Sequence, residues 1–315
     1  MGRFPEGASS IMRTLRRTAA IAALSSVGLA LGAPNDFRIQ NLGNPNTDNT
    51  ADAAFQAFAK EFGAALSSTD LTPPGTLGHS GFSVAAELSV ISLKGVVPGT
   101  TVTGTDPTFF IPTEGDYKGV SLLPSLHVRK GLPWSFEIGV RVGYLDKSNM
   151  AVATWEAKWA GNEGFALLPD LAVRVHATRL FNTRDFDLGT GGVDFSVGKK
   201  WAIGGMITIT PYGGWDLVFV GAATNRLVDF QQDRTESQAY SSQYAQLTNS
   251  GQYKEVKLLE NGHSRFYAGF RFVGGVIQIL GEVSASALGT IKVNTILEQQ
   301  LPPVLAFNTA IGLDF

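Results

Sequence analysis

The chain has 315 residues, no cysteine and a formal net charge of −2, with 17% of residues charged and 44% hydrophobic. These values exclude disulfide frameworks, thiolate metal sites, cysteine nucleophiles and an N-terminal cysteine lipid anchor, and they leave no basic footprint for nucleic acid. Charge is scarce for a soluble domain, yet no stretch reaches the roughly 18 apolar residues of a spanning helix. So apolar a chain, lacking such helices, can enter a bilayer only as a closed barrel, because lipid leaves no backbone polar group unpaired. The competing reading of the composition is a soluble β protein rich in its 36 glycines.

Residues 1–32 have the three-part layout of a secretory signal peptide. Arg13, Arg16 and Arg17 form the basic region, Thr18–Leu31 is an apolar run too short to span, and Ala30-Leu31-Gly32 offers a small-x-small cleavage site. Met12, just before the arginines, is an alternative start.

Residues 33–79 form an N-terminal periplasmic or plug segment. Its first part (35–47) is rich in turn formers. Asp48 or Thr50 can then cap a helix over about 51–66, in which Phe55, Phe58, Phe62 and Leu66 share one face. Lys60 and Glu61 lie away from that stripe. A lone amphipathic helix needs a surface to cover, and it is expected either to plug a barrel lumen or to pack at the periplasmic mouth. Pro73-Pro74-Gly75 ends the segment as a linker.

From Ser80 to Phe315 the period is two, the signature of strands. Trp134, Phe136, Ile138, Val140, Val142 and Tyr144 share one face, while Ser135, Glu137, Gly139, Arg141 and Gly143 share the other. Aromatics at both ends of an apolar strand face suit the two interfaces of a membrane. The pattern recurs, giving an all-β, transmembrane antiparallel barrel of ten strands at about 80–93, 118–130, 134–145, 149–159, 167–179, 187–199, 201–220, 263–273, 275–288 and 304–315. The seventh is long; Gly213-Gly214 can mark a bulge there, and a split would raise the count to twelve. The three longest links (94–117, 222–262 and 289–303) all fall at one end, as expected of outer loops opposite short periplasmic turns.

The last strand resembles the C-terminal strand of Gram-negative outer-membrane proteins, with Phe307, Ile311, Leu313 and the terminal Phe315 in alternation. The resemblance implies recognition by the barrel-assembly machinery and residence in outer-membrane lipid. Thr76–Phe82 (TLGHSGF), Arg129–Pro133 (RKGLP), Leu168–Arg174 (LPDLAVR) and Thr210–Trp215 (TPYGGW) resemble uncharacterised outer-membrane barrels of myxobacteria-like Gram-negative bacteria, a family that implies fold and location but no activity.

The inward set comprises Arg129, Glu137, Arg141, Glu156, Lys158, Asp170, Arg174, His176, Asp194, Arg265, Arg271, Glu282 and Asp314, with His127 as a further lumen residue. A barrel of this size fills with its own side chains, and nearly balanced charge there is expected to pair rather than line a pore of one sign. No catalytic, cofactor or metal motif is present. The strand count resembles the omptin proteases, but their paired acids and Asp–His couple have no positional match, so no catalytic residues carry over. Two functions remain in front: a small porin-like or hydrophobic-solute channel, and a structural or surface-interaction barrel acting through its outer loops. A membrane-embedded hydrolase is the third.

Overall fold

The computed structural model describes residues 35–67, 71–95, 113, 119–165, 168–204, 207–230, 250–293 and 297–315. The signal segment at 1–32, most of the loop at 94–117 and residues 231–249 of the loop at 222–262, Tyr240 and Tyr244 included, lie outside the described residues.

Ten antiparallel strands pair with their sequence neighbours: β1 (Phe82–Ser92), β2 (Val120–Leu132), β3 (Phe136–Tyr144), β4 (Ala151–Ala160), β5 (Asp170–Phe181), β6 (Phe186–Gly198), β7 (Ile207–Thr224), β8 (Gly262–Gly274), β9 (Ile277–Ala287) and β10 (Val304–Asp314). β10 returns to β1, from Ser83 opposite Asp314 to Ser92 opposite Leu305, and closes the cylinder. Closure leaves the sheet no edge, which is what permits strands to cross lipid.

The alternation seen in the sequence is the alternation of exposure. Along β3 every second residue is exposed from Phe136 to Tyr144, and those between are buried. The exposed set is apolar on strand after strand, including Val140, Trp155, Val175, Phe195, Phe270, Val283 and Phe307. Trp134, Trp159, Trp201 and Phe315 ring the end with short turns, and Tyr144 and Phe181 sit at the end with long loops. This is an apolar band flanked by aromatic girdles.

One expectation is corrected. The seventh strand does not begin at Trp201; Trp201–Ile203 folds back on Ile207–Ile209 as a hairpin. Gly204, at φ +62°, takes the left-handed backbone that the reversal requires. Gly213 and Gly214 mark no bulge, since they pair one for one with Ala268 and Tyr267. The count is therefore ten rather than twelve.

The chain ahead of β1 enters the barrel. Helix α1 (Ala51–Leu66) lies at the long-loop end, within a cluster that includes Leu93, Leu145, Leu180, Leu188, Leu288 and Leu301. Of the two placements expected for the helix, the structure has α1 inside the barrel wall, at the long-loop end. Fourteen of its sixteen residues are buried. Seven alanines and Gly63 make it narrow enough to fit within the wall, and only a narrow polar edge at Asp52 and Gln56 stays partly exposed. Neither cap is made as expected, for Asp48 Oδ1 accepts from the Thr50 N–H instead, at 2.8 Å. From Leu71 to Gly81 the chain descends the lumen, and it enters β1 at the short-turn end.

Val140 sits at the middle of β3 on the exposed face. Val140→Arg should lower unfolding free energy in lipid vesicles by about 2–4 kcal/mol in a denaturant titration. An unchanged midpoint would mean that this face does not meet hydrocarbon.

Candidate functional site

The lumen is built by the inward half of each strand and crossed by ion pairs. Glu87 on β1 receives Arg141 Nε at 2.5 Å and His127 Nδ1 at 2.8 Å. His127 Nε2 faces Glu156 Oε1 at 2.9 Å, so a carboxylate stands at each ring nitrogen. Glu156 Oε2 accepts from Arg174 Nη1 at 2.8 Å, and Arg174 Nη2 donates to Asp194 Oδ2 at 2.8 Å. Tyr267 Oη donates to the other Asp194 oxygen at 2.6 Å. One continuous chain thus crosses from β3 through β1, β2, β4, β5 and β6 to β8. Arg174, at its centre, is 2% exposed.

A second group ties the threaded segment to the wall. Glu137 accepts from Arg129 at 3.1 Å and Lys158 at 3.0 Å, and also from the Leu77 N–H at 3.0 Å. Lys158 Nζ donates to Thr72 Oγ1 and to the Pro73 and Gly75 carbonyls. Glu282 accepts from the Leu71 N–H at 3.0 Å and from Tyr212 Oη at 3.1 Å. Arg265 pairs with Asp216 and donates to the Ser67 carbonyl at 3.1 Å, while His176 Nε2 meets Asp216 at 3.1 Å. The barrel's charges therefore satisfy the backbone of a segment that has no ladder of its own, as buried peptide groups require.

All the inward residues read from the sequence point into the lumen, but not all join the long chain. Asp170, at the short-turn end, accepts from the Gly164 N–H at 3.2 Å, and Arg271 pairs with Asp314 and Gln278. Tyr267 faces inward beside Arg265, as the alternation of its strand requires, and Glu87, Asp216, Tyr212 and Asn308 join the inward set without having been singled out by the sequence. Glu87 and Asp216 obey the same period-two pattern on β1 and β7. His127 and His176 sit in separate, fully buried clusters. Gly192 faces inward because His176 takes the space: a Cβ there would stand 2.4 Å from Nε2.

The plug adds an apolar tier above the charged one. Phe55, Phe58, Phe62 and Leu66 are all buried. Phe37 meets Phe62 edge-on at 4.4 Å and Phe58 at 4.9 Å, and Phe58 meets Phe186 of β6 at 5.5 Å. Phe55 stacks on Tyr253 at 4.9 Å, and the Tyr253 hydroxyl lies within hydrogen-bond reach of the Ile39 and Gly43 carbonyls, its one hydrogen shared between them. The sequence set Lys60 and Glu61 off this stripe, yet both are buried because the barrel wall surrounds the helix. Glu61 accepts from the Lys94 and Gly95 N–H groups at 2.5 and 3.0 Å, while burial pushes its carboxyl pKa upward. Beside Arg141, under the end of α1, a void of about 20 Å³ remains, room for one water.

An even-stranded, closed antiparallel barrel, apolar outside and charged inside, defines the class: a β-barrel protein of the Gram-negative outer membrane. No protein-family profile and no curated protein matches the chain. Among solved structures it is similar to Ail of Yersinia pestis (10% identity, 75% of this chain and 99% of that one, TM-score 0.27) and to Neisserial surface protein A (11%, 74% and 95%, 0.28). It is also similar to the translocator domain of the autotransporter NalP from Neisseria meningitidis, at 8% identity over 82% of this chain and 93% of that one, with a TM-score of 0.33. At such scores the likeness adds no weight, and the class rests on strand pairing and exposure.

Two outcomes check this interior. Arg174→Met strands Glu156 and Asp194 in a dry site and should cost about 3–5 kcal/mol in denaturant unfolding; a loss under 1 kcal/mol would mean water reaches them. Since Glu61 has a raised pKa when docked, the unfolded carboxyl ionises first as pH rises. Docking of α1 should thus be strongest below the ordinary Glu range and weaken as pH climbs through and above it. Protease protection of residues 51–66 measured against pH should show this slope, and Glu61→Gln should flatten it.

Proposed function

We propose that this protein is a non-conducting surface barrel, a structural and interaction platform that works through the cap at its long-loop end rather than as a solute channel. The observation that carries this reading is the double closure of the lumen. An ion-pair chain spans it from β3 to β8, and above that α1 fills it with packed aromatic rings. A passive pore of a porin-like kind needs a continuous water path, and paired charges with a threaded peptide occupy that path. Burial of each phenylalanine stabilises the plug by about 1.5–3 kcal/mol, so the three of α1 resist spontaneous opening.

The cap is assembled from parts far apart in sequence. Asn35 and Asp36 bind the turn at 146–149, Asn46 donates to Ser250, and Lys254 donates its N–H to Asp52. By the length of its links this end is the cell exterior, which gives the cap a surface role. Membership of the myxobacteria-like barrel family, insertion by the barrel-assembly machinery through Phe307, Ile311, Leu313 and Phe315, and a signal peptide at 1–32 belong to the same proposal.

Planar-bilayer recording tests it. The purified chain should be electrically silent, and deletion of residues 48–68 should produce stepwise conductance only if the ion-pair chain also loosens. Gly63 touches β7 so closely that an added Cβ would lie 2.4 Å from Val220 Cγ1. Gly63→Leu should therefore undock α1 and expose 51–66 to protease. Stepwise conductance from the unaltered chain would overturn the platform reading in favour of a channel.

A further inference from the structure

The cap contains a cleft of about 640 Å³ that opens at the long-loop end. One face of α1 forms its first wall, with Asp52, Gln56 and Lys60 one turn apart and descending inward. The link before β8 (residues 254–261) forms the second wall, and the hairpin at 290–293 with Glu298 forms the third.

At the floor stands Lys60. The residue is 5% exposed, and among the described residues no hydrogen bond or ion pair reaches its ammonium, which opens onto the cleft. This differs from every lumen cation traced above, since Arg129, Arg141, Lys158, Arg174, Arg265 and Arg271 each meet a carboxylate. Desolvation of an unpaired ammonium is unfavourable, and it pushes the Lys60 pKa below its ordinary range. An anion at that point would offset this penalty.

The remaining walls restrict the anion. Asp52, Glu255, Glu260 and Glu298 balance Lys60, Lys254, Lys257 and Lys292, so the lining offers no net positive charge to hold a polyanion. Lys257 and Glu260 already pair at 3.1 Å, and Asp52 holds the Lys254 N–H. Gln56 Nε2 donates to Asn261 Oδ1 at 2.8 Å, which leaves the Gln56 amide oxygen to accept from a ligand. Carboxylates and amide oxygens around one deep cation suit hydroxyl groups on a body bearing a single acid.

We propose that the cleft is a binding site for a small polyhydroxylated anion, a sugar acid or sugar phosphate, whose acidic group pairs with Lys60. The same chemistry is offered by a free sugar acid and by the acidic headgroup of a surface glycolipid. The site deepens the platform reading by naming what the cap engages, but its test does not depend on whether the barrel conducts.

Calorimetric titration of the full chain in detergent uses galacturonate and glucose 6-phosphate, with glucose and inorganic phosphate as controls. A parallel arm uses bicelles with and without rough lipopolysaccharide. The expected result is saturable binding of a sugar acid or phosphate, weakened about tenfold or more by Lys60→Met and largely kept by Lys60→Arg. Binding confined to lipopolysaccharide bicelles and lost in Lys60→Met assigns the headgroup as source. Heat-modifiable gel mobility verifies that each variant is folded. Should Lys60→Met not fold, 13C-methylated lysine resonances of the unaltered protein replace it, and the Lys60 signal, assigned by its absence in Lys60→Arg, must move on titration. No binding in either arm, binding undiminished in folded Lys60→Met, or a stationary Lys60 signal overturns the site.

Discussion

A charge in a narrow, water-poor lumen has to find a partner, and the interior of this barrel is organised by that need. Ten strands enclose little space, so the inward residues cannot stand apart in water as they would on a soluble surface. The result is a relay in which each carboxylate serves two donors: Glu87 takes Arg141 and His127, Glu156 takes His127 and Arg174, and Glu137 takes Arg129 and Lys158. Because the partners sit on different strands, the relay also fixes the register of the cylinder that the backbone ladder closes. The lipid outside and the ion pairs inside are two consequences of one alternation.

The threaded segment solves a second problem. Residues 71–81 run through the middle of the barrel without a neighbouring strand, and their peptide groups would be costly if orphaned. Glu137, Glu282, Lys158 and Arg265 supply the missing partners to the backbone at and around this segment. The lumen charges therefore have two tasks at once, holding the wall together and receiving the plug. An empty barrel of this sequence would leave those donors and acceptors unpaired, so plug and barrel form one folding unit.

Much of this was legible in the sequence, because period two maps one to one onto exposure in a barrel. The strand at 304–315 and the inward places of Arg174 and Asp194 follow from it directly, whereas Trp134 and Ser135, which fit the alternation of β3, form the left-handed turn before it. The hairpin at 201–209 did not, since Gly204 signals a reversal only once the partner strand is known. The helix was visible from Phe55, Phe58 and Phe62, but its depth was not. A stripe of aromatics reports one buried face, whereas the enclosure of Lys60 and Glu61 depends on β6, β7 and the loops, which the local pattern does not contain. The unpartnered ammonium of Lys60 could only emerge from the tertiary structure.

The account depends most on the direction of threading, with the cap outside and the start of β1 in the periplasm. The chain has no native cysteine, so single substitutions report cleanly. Asn46→Cys lies exposed in the cap and His79→Cys lies exposed at the short-turn end. With a membrane-impermeant maleimide on intact cells, position 46 should label at once, and position 79 only after the outer membrane is breached. Labelling at 79 with protection at 46 would contradict the threading and the outward-facing cleft with it.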